Sequence, residues 1–189
     1  TSGDDEGDTV GVAKVTYFPT FEFPDGSTVV ITTGSSFSPS AVVKEGENEL
    51  TPAISSDVDV AVPGIYEVEY SAINSDGYPG SATHQVFVYD PDIIPTDVTG
   101  NIVDVTNATR TGVITLVPGT TNIFHATDMG FAGVFPLYFQ MDGDVMTVVP
   151  QPFAPAFGVE SVDASYDPVT QRFSILIHPQ EFAYTFKYQ

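Results

Sequence analysis

Carboxylates are the reactive side chains that this sequence supplies in quantity. Its 189 residues contain 25 Asp and Glu against 5 Lys and Arg, which gives a formal net charge of −20. Calcium takes about six to eight oxygen ligands, and loops rich in Asp provide them. Asp57 with Asp59 and Asp142 with Asp144 are candidate Ca²⁺ ligands, although neither pair has EF-hand spacing. In a strand, Asp57 and Asp59 would project from one face and would either share an ion or face solvent.

Acid–base catalysis is the second chemistry that carboxylates offer. A glycosidase needs two of them facing each other across a cleft, one with a raised pKa. The candidates for such a pair are Asp128, Asp142, Asp144 and Glu160. The sequence does not show whether these side chains converge, and an Asp-Gly turn is sufficient to explain Asp142. The chain also lacks the Gly-x-Ser-x-Gly motif of a serine nucleophile. We therefore expect no enzymatic activity.

The three histidines do not form a zinc motif. His84, His125 and His178 are far apart in the sequence, without a His-x-His pair, and the chain contains no cysteine. A zinc site needs clustered His, Cys or carboxylate ligands. We therefore expect each histidine to be an ordinary residue of a strand, and no cofactor beyond a possible Ca²⁺ ion.

Aromatic side chains are the candidate binding groups, because sugars present apolar faces to them while polar groups bind the hydroxyls. The chain contains 14 Phe and 9 Tyr but no Trp. Gly130 and Gly133 indicate an exposed loop in segment 128–138, and segment 150–157 is rich in Pro and Phe. Both segments either contact a partner or pack over the end of a barrel. The residues predicted to bind a ligand are Asp128, Phe131, Phe135, Tyr138, Phe153 and Phe157.

The charge excludes several classes of partner. Nucleic-acid binding needs basic patches, and an anionic membrane surface repels so acidic a chain. No apolar run approaches the ~20 residues of a membrane span. The absence of cysteine excludes a disulfide scaffold.

The elements that must position these groups are strands. Residues 66–72 alternate apolar and polar, as a half-buried strand requires, and residues 74–77 (Asn-Ser-Asp-Gly) form the turn into a second strand at 86–89. Tyr66 lies two residues before Val68, which is the spacing of the tyrosine corner in an immunoglobulin sandwich. This pattern predicts an all-β fold with an N-terminal immunoglobulin-like domain.

The pattern predicts two domains after an acidic, disordered tail at residues 1–12. The first, residues 13–91, has about seven short strands. Those expected before residue 66 cover residues 13–18, 21–24, 28–32, 53–54 and 58–62. A hairpin turn at Asp25-Gly26 joins the second to the third, residues 45–49 form an acidic loop, and Phe37, Val42 and Val43 are core candidates.

A linker at residues 92–96, stiffened by Pro91 and Pro95, leads to the second domain, residues 97–189. Its expected strands are 101–105, 110–117, 123–127, 134–141, 145–149, 159–166, 172–177 and 182–188. Turns are expected at Asp142-Gly143 and at residues 167–170, and no segment has the pattern of a helix. Pairing of neighbouring strands predicts a meander, hence an antiparallel β-sandwich or a partly closed β-barrel.

Some of these motifs resemble those of a known protein family. The run Gly64-x-Tyr66-x-Val68 and its continuation through residues 70–88 resemble the end of bacterial surface immunoglobulin-like domains. The whole chain resembles two-domain outer-membrane lipoproteins of Bacteroidota, with a β-rich C-terminal domain of unknown function. Such a resemblance implies a lipid-anchored, cell-surface protein of a polysaccharide-utilisation system. Asp4, Asp5 and Glu6 would then resemble the acidic export signal that follows the lipidated cysteine.

Two functional hypotheses follow from the residues and the resemblance together. In the first, the chain is a non-catalytic accessory module that binds glycan or acts as a spacer, and its partners are polysaccharide or outer-membrane uptake proteins. In the second, it is a structural or protein-interaction subunit of an outer-membrane complex with no sugar site. Exposed aromatic residues in one concave patch would favour the first hypothesis.

Overall fold

A computed structural model describes residues 13–189 of the chain, and the acidic tail at 1–12 lies outside them. The fold is all-β. None of its helical segments within the described residues is long and apolar enough to cross a membrane. Two short 3-10 turns occur at Phe131–Gly133 and Pro155–Phe157. The strands are β1 (Thr20–Glu22), β2 (Thr28–Thr32), β3 (Val42–Glu45), β4 (Asn48–Leu50), β5 (Ala53–Ser56), β6 (Gly64–Ile73), β7 (Pro79–Tyr89), β8 (Gly100–Asp104), β9 (Thr111–Leu116), β10 (Ile123–Ala126), β11 (Leu137–Asp142), β12 (Val145–Val148), β13 (Ser161–Asp167), β14 (Arg172–His178) and β15 (Phe182–Tyr188).

The first seven strands form the predicted immunoglobulin-like sandwich. One sheet has the order β1-β3-β4 and the other the order β2-β7-β6-β5. β2 runs parallel to β7, with five residue pairs from Thr28↔Gln85 to Thr32↔Tyr89. The alternating residues of β6 and β7 build the core between the sheets, as the period-2 pattern requires. Its buried members are Tyr66, Val68, Tyr70, Val86 and Val88.

The tyrosine corner is present. The Tyr66 hydroxyl donates a hydrogen bond of 2.9 Å to the carbonyl oxygen of Val62. The turn predicted at residues 74–77 is also formed, with the amide of Gly77 donating to the carbonyl of Asn74 at 3.0 Å. The sequence pattern around β6 and β7 was therefore sufficient to predict this part of the sandwich.

The expectations for the strands before β6 were partly wrong. Residues 13–18 form no strand. Asp25-Gly26 is a turn, but β1 pairs with β3 and β2 with β7, so the chain crosses between sheets there instead of forming a hairpin. Val43 is buried, whereas Phe37 and Val42 are half-buried. Local alternation does not reveal which sheet a strand joins.

Two further segments differ from expectation. Residues 58–62 alternate like a strand but form a turn, in which the Asp59 carboxylate accepts a hydrogen bond from the Ala61 amide at 2.9 Å. This Asx-type bond offers the backbone an alternative to a sheet ladder. The expected loop at 45–49 is instead a tight hairpin, with Glu45 paired to Asn48.

The last eight strands form one antiparallel sheet with the order β12-β11-β10-β9-β8-β15-β14-β13. All eight strands expected in this region are present. The sheet curls into a nearly closed barrel, so that the unpaired edges β12 and β13 lie side by side. It consists of two meanders, β8 to β12 and β13 to β15, which β8 and β15 join. Its interior is a single apolar cluster that includes Phe124, Leu137, Phe139, Phe173 and Phe186.

The sandwich and the barrel share a third apolar cluster. Ile65 and Phe87, on the outer face of the β6–β7 sheet, pack with Val117, Ile123 and Val149 of the barrel, and all five are buried. Burying a side chain of this size contributes about 1.5–3 kcal/mol. The Ile65 amide also donates to the carbonyl of Pro150 at 2.8 Å. These contacts hold the two parts together as one body.

Hydrogen bonds to the barrel fix the linker. The side-chain amide of Asn122, which is fully buried, donates to the carbonyls of Asp90 at 2.6 Å and Ile93 at 3.1 Å. The Gly143 amide then donates to the carbonyl of Ile94 at 2.9 Å. These bonds hold the linker against the barrel, in addition to the restriction that its prolines impose.

Candidate functional site

The two predicted aromatic segments meet at one end of the barrel. The Phe131 ring stacks on Phe135 at 5.2 Å and meets Phe157 edge-on at 4.8 Å. Phe135 also stacks on Phe153 at 5.9 Å. Phe182 of β15, which the sequence did not single out, lies 5.8 Å from Phe131. Four of the six predicted ligand-binding residues therefore belong to one cluster.

This aromatic cluster has the geometry of a packed cap. Phe135 is 2% exposed, and Phe131, Phe153 and Phe157 are half-buried against the barrel core. The depression between the loops has a volume of only about 40 Å³ and is lined by Phe, Pro and Ala. Ligand sites usually have volumes of about 300–1,000 Å³ with a few polar groups. Of the two interpretations from sequence, packing over the end of the barrel fits the observed geometry.

Asp128 lies beneath this cap. Its Oδ1 atom accepts hydrogen bonds from the amides of Phe135 at 2.9 Å and Gly130 at 3.2 Å, while its Oδ2 atom is buried without a partner among the described residues. Burial raises the pKa of Asp128, although the two amide bonds oppose that shift. The carboxylate therefore shapes the loop and has no open path to a ligand.

Tyr138 lies apart from the cap, against the sandwich. Its ring is 4.5 Å from that of His125 and 5.5 Å from that of Phe87. Burial raises the pKa of Tyr138 and lowers that of His125. The backbone of Tyr138 also bonds in both directions to the side chain of Gln151, at 2.9 Å and 2.7 Å. The structure thus places Tyr138 at the junction of the two parts.

The predicted calcium ligands do not form part of a larger cluster of ligands among the described residues. Among residues 13–189, no three His, Asp or Glu side chains are grouped so that they could hold a metal ion. Asp57 accepts from the Glu67 amide at 2.9 Å, and Asp144 accepts from the Thr96 hydroxyl at 2.6 Å. Residues 57–59 are not a strand, so the strand geometry from which a shared face was expected for Asp57 and Asp59 is not formed.

The histidines are separated, as expected, and their environments differ. His84 is buried in the sandwich core, stacked on Phe23 at 5.0 Å, and burial lowers its pKa. His178 lies on the barrel between Asp163 at 2.9 Å and Glu181 at 2.7 Å. These two carboxylates raise the pKa of His178.

A cleft lies at the junction of the sandwich and the barrel. Its volume is about 460 Å³. Asp57 and Tyr66 line it from the sandwich side, and residues 148–153 and 160–162 line it from the barrel side, where β12 ends and β13 begins. We refer to it as the junction cleft.

Sequence reasoning found only part of the junction cleft. The sequence suggested Phe153 as a ligand-binding aromatic residue, Glu160 as a candidate catalytic carboxylate and Asp57 as a calcium ligand, but did not group them. No local signal places Asp57 near Glu160, because the two are brought together by the packing between sandwich and barrel. The Pro-rich run at 150–155 was the one available indication of a shaped loop.

Comparison with known proteins supports the first domain. Residues 21–88 match the family described as bacterial surface protein, Ig-like domain. No curated protein matches the chain. Among solved structures, a similar one is the crystal structure of the lipoprotein BT2262 from Bacteroides thetaiotaomicron, which is 21% identical, with a TM-score of 0.43, over 89% of this chain and 98% of that one. The Ig-like assignment therefore rests on the family match and the sheet topology together.

Proposed function

We propose that this chain is a non-catalytic module of the bacterial cell surface, in which the Ig-like domain is a rigid spacer that presents the barrel. One observation carries the proposal: the N-terminal segment contacts one end of the sandwich, and the barrel contacts the opposite end. The match of residues 21–88 to bacterial surface Ig-like domains supports the surface location.

The N-terminal segment is bound at the tip of the β6–β7 hairpin. The side-chain amide of Asn74 donates to the carbonyl of Tyr17 at 2.7 Å. The Thr16 hydroxyl donates to Asp76 at 3.1 Å, and Lys14 forms an ion pair with the same carboxylate. All of these contacts lie at the hairpin end that is remote from the barrel.

The barrel contacts the opposite end of β6. Ile65, the second residue of that strand, bonds to Pro150 of the barrel and joins the shared apolar cluster. β6 has 10 residues, and a strand rises about 3.3 Å per residue, so the two ends are roughly 30 Å apart. An N-terminal anchor would therefore join the sandwich at the end opposite the barrel.

We further propose that this anchor is a lipid on the outer membrane and that the module serves a polysaccharide-utilisation system as an accessory glycan-binding or spacer component. The absence of catalysis belongs to the same proposal. Asp128, whose pKa is raised by burial, lies beneath the aromatic cap, whereas Asp57 and Glu160 at the junction cleft are exposed. The buried acid Asp128 and the two cleft carboxylates therefore lie at different places among the described residues, which supports a non-catalytic role.

Distance measurement between paired spin labels tests the spacer role. Since the chain has no cysteine, Glu47→Cys at the sandwich tip and Val169→Cys in the exposed β13–β14 turn give a uniquely labelled protein. A rigid spacer gives one narrow distance distribution. Adding Phe87→Ala, which removes a ring from the shared apolar cluster, should broaden it, whereas the exposed Ser71→Ala should not. A broad distribution in the parent protein would contradict the proposal.

A further inference from the structure

We propose that the junction cleft binds a neutral saccharide, held between the sandwich and the barrel. This inference rests on the glycan-binding role proposed above and names its site and ligand class, whereas the spacer role is tested separately. The cleft volume of about 460 Å³ lies within the range of about 300–1,000 Å³ for small-molecule sites, which occur preferentially between domains. Its walls come from both parts of the chain, so neither part contains the complete site.

One wall of the cleft is apolar and held in place. Phe153 is half-buried, and Pro150 and Pro152 are exposed beside it. The Gln151 side chain fixes this loop through its two bonds to the Tyr138 backbone, and Phe153 is braced by Phe135. Flat apolar rings at fixed positions suit the C–H faces of a sugar ring. Because these side chains are already ordered, binding costs the protein little conformational entropy.

Three polar side chains of the cleft have oxygen atoms that accept no hydrogen bond from other described residues. Within residues 13–189, the Asp57 carboxylate accepts one hydrogen bond, at Oδ1 from the Glu67 amide. The side chains of Glu160 and Ser161 make no hydrogen bond to other described residues, although the Glu160 amide is fixed to the carbonyl of His178 at 2.9 Å. Carboxylates accept hydroxyl protons in short, charge-assisted hydrogen bonds. A ligand rich in hydroxyl groups satisfies this set of acceptors.

The charge of the cleft selects against acidic sugars. None of its lining residues is Lys or Arg, two are carboxylates, and the whole chain has a net charge of −20. A uronate or sulfate group would therefore lie beside Asp57 and Glu160 without a counter-charge. A basic peptide would pair with those carboxylates, but it would not use the Phe and Pro wall or the Ser161 hydroxyl as a sugar does. A neutral saccharide uses all three features.

Titration calorimetry and an array of neutral, uronate-bearing and sulfated oligosaccharides test the site on the full chain. We expect at least one neutral oligosaccharide to bind and the acidic ones to fail. Asp57→Asn and Glu160→Gln should each weaken binding about tenfold, because each removes a charge-assisted hydrogen bond. Ser161→Tyr should abolish binding by filling the cleft. Glu47→Gln, a matched loss of charge at the remote tip, should leave affinity unchanged.

Three results would overturn the proposal. The first is a folded protein that binds no neutral sugar, and the second is a preference for acidic sugars or for a lysine-rich peptide. The third is neutral-sugar binding that the cleft variants leave intact, since the sugar would then occupy another surface. Far-UV circular dichroism of each variant shows whether it is folded. A narrow spin-label distance with no sugar binding would leave the spacer proposal standing alone.

Discussion

Gly64 lies directly beneath the ring of Tyr66: a β-carbon built on Gly64 would come within 2.9 Å of the ring Cζ atom. The ring approaches this closely because its hydroxyl reaches back to the carbonyl of Val62. The tyrosine corner thus needs a residue without a side chain two positions earlier, which explains the Gly-x-Tyr spacing in physical terms.

The first prediction concerns this pair. Gly64→Ala should displace the Tyr66 ring and lower the free energy of unfolding by about 1–3 kcal/mol, the usual cost of overpacking. Tyr66→Phe keeps the ring but leaves the Val62 carbonyl without its donor, and should cost about 1 kcal/mol. Urea denaturation measures both. Ser71→Ala on the exposed face of the same strand is the control, and an equal loss there would argue against a specific role for the corner.

The second prediction concerns acid stability. His84 is 4% exposed, has no hydrogen-bond partner among the described residues, and packs against Phe23 and Phe37. Burial lowers its pKa, opposed by the charge of Asp25. Below pH ~6.5 the unfolded chain therefore takes up a proton that the folded chain resists, and stability falls as the pH falls. Denaturation of wild type and His84→Leu from pH 7 to pH 5 should show a shallower decline in the variant.

The third prediction has the opposite sign. Asp163 and Glu181 raise the pKa of His178, so the protonated imidazole stabilises the folded state. This contribution is complete below pH ~6.5 and disappears as the pH rises through the folded pKa. An NMR titration should give His178 a pKa above that of a free histidine, and Asp163→Asn should lower it. An unshifted titration in wild type would mean that the two carboxylate contacts do not persist in solution.

The fourth prediction separates charge from hydrogen bonding at Asp128. Burial raises its pKa, so its ionisation destabilises the folded state as the pH rises from ~4 to neutral. Asp128→Asn retains an acceptor for the amides of Gly130 and Phe135 and should be as stable as wild type at pH 7, or more stable. Asp128→Ala leaves both amides without a partner and should cost about 1–3 kcal/mol for each. Thermal denaturation at pH 5 and pH 7 distinguishes these outcomes.

The fifth prediction concerns the linker. Asn122→Ala removes the donor that binds the carbonyls of Asp90 and Ile93. We expect faster amide hydrogen exchange at residues 93–96 and a loss of about 1–3 kcal/mol in stability. Asn107→Ala, in an exposed turn of the barrel, should leave exchange in the linker unchanged. If both variants behave alike, the linker is held by its prolines rather than by Asn122.

The strands of the barrel were predictable because each one pairs with a neighbour in sequence and several of them alternate. Residues 172–178 show this directly, with Phe173, Ile175 and Ile177 buried in the barrel core. The sandwich was harder, because β1 and β2 are neighbours in sequence but lie in different sheets. Residues 58–62 alternate equally well, yet the Asp59 side chain competes for the backbone and turns it.

The binding surfaces were less predictable than the fold. The aromatic content of segments 128–138 and 150–157 identified side chains that do meet, but not that Phe135 would be buried among them. The junction cleft depends on the contact of Ile65 and Phe87 with the barrel, which no pattern within either half of the chain encodes. Non-local packing of this kind is the information that a single sequence lacks.

The parallel pairing of β2 with β7 gives the sandwich a mechanical property. β2 lies near the chain's entry and β7 at its exit, so a force pulling the two ends apart would slide these strands past each other along their axes. In that direction the five residue pairs from Thr28↔Gln85 to Thr32↔Tyr89 bear the load simultaneously, whereas peeling would break them one after another. A protein held at one end and pulled at the other would resist rupture by this shear geometry.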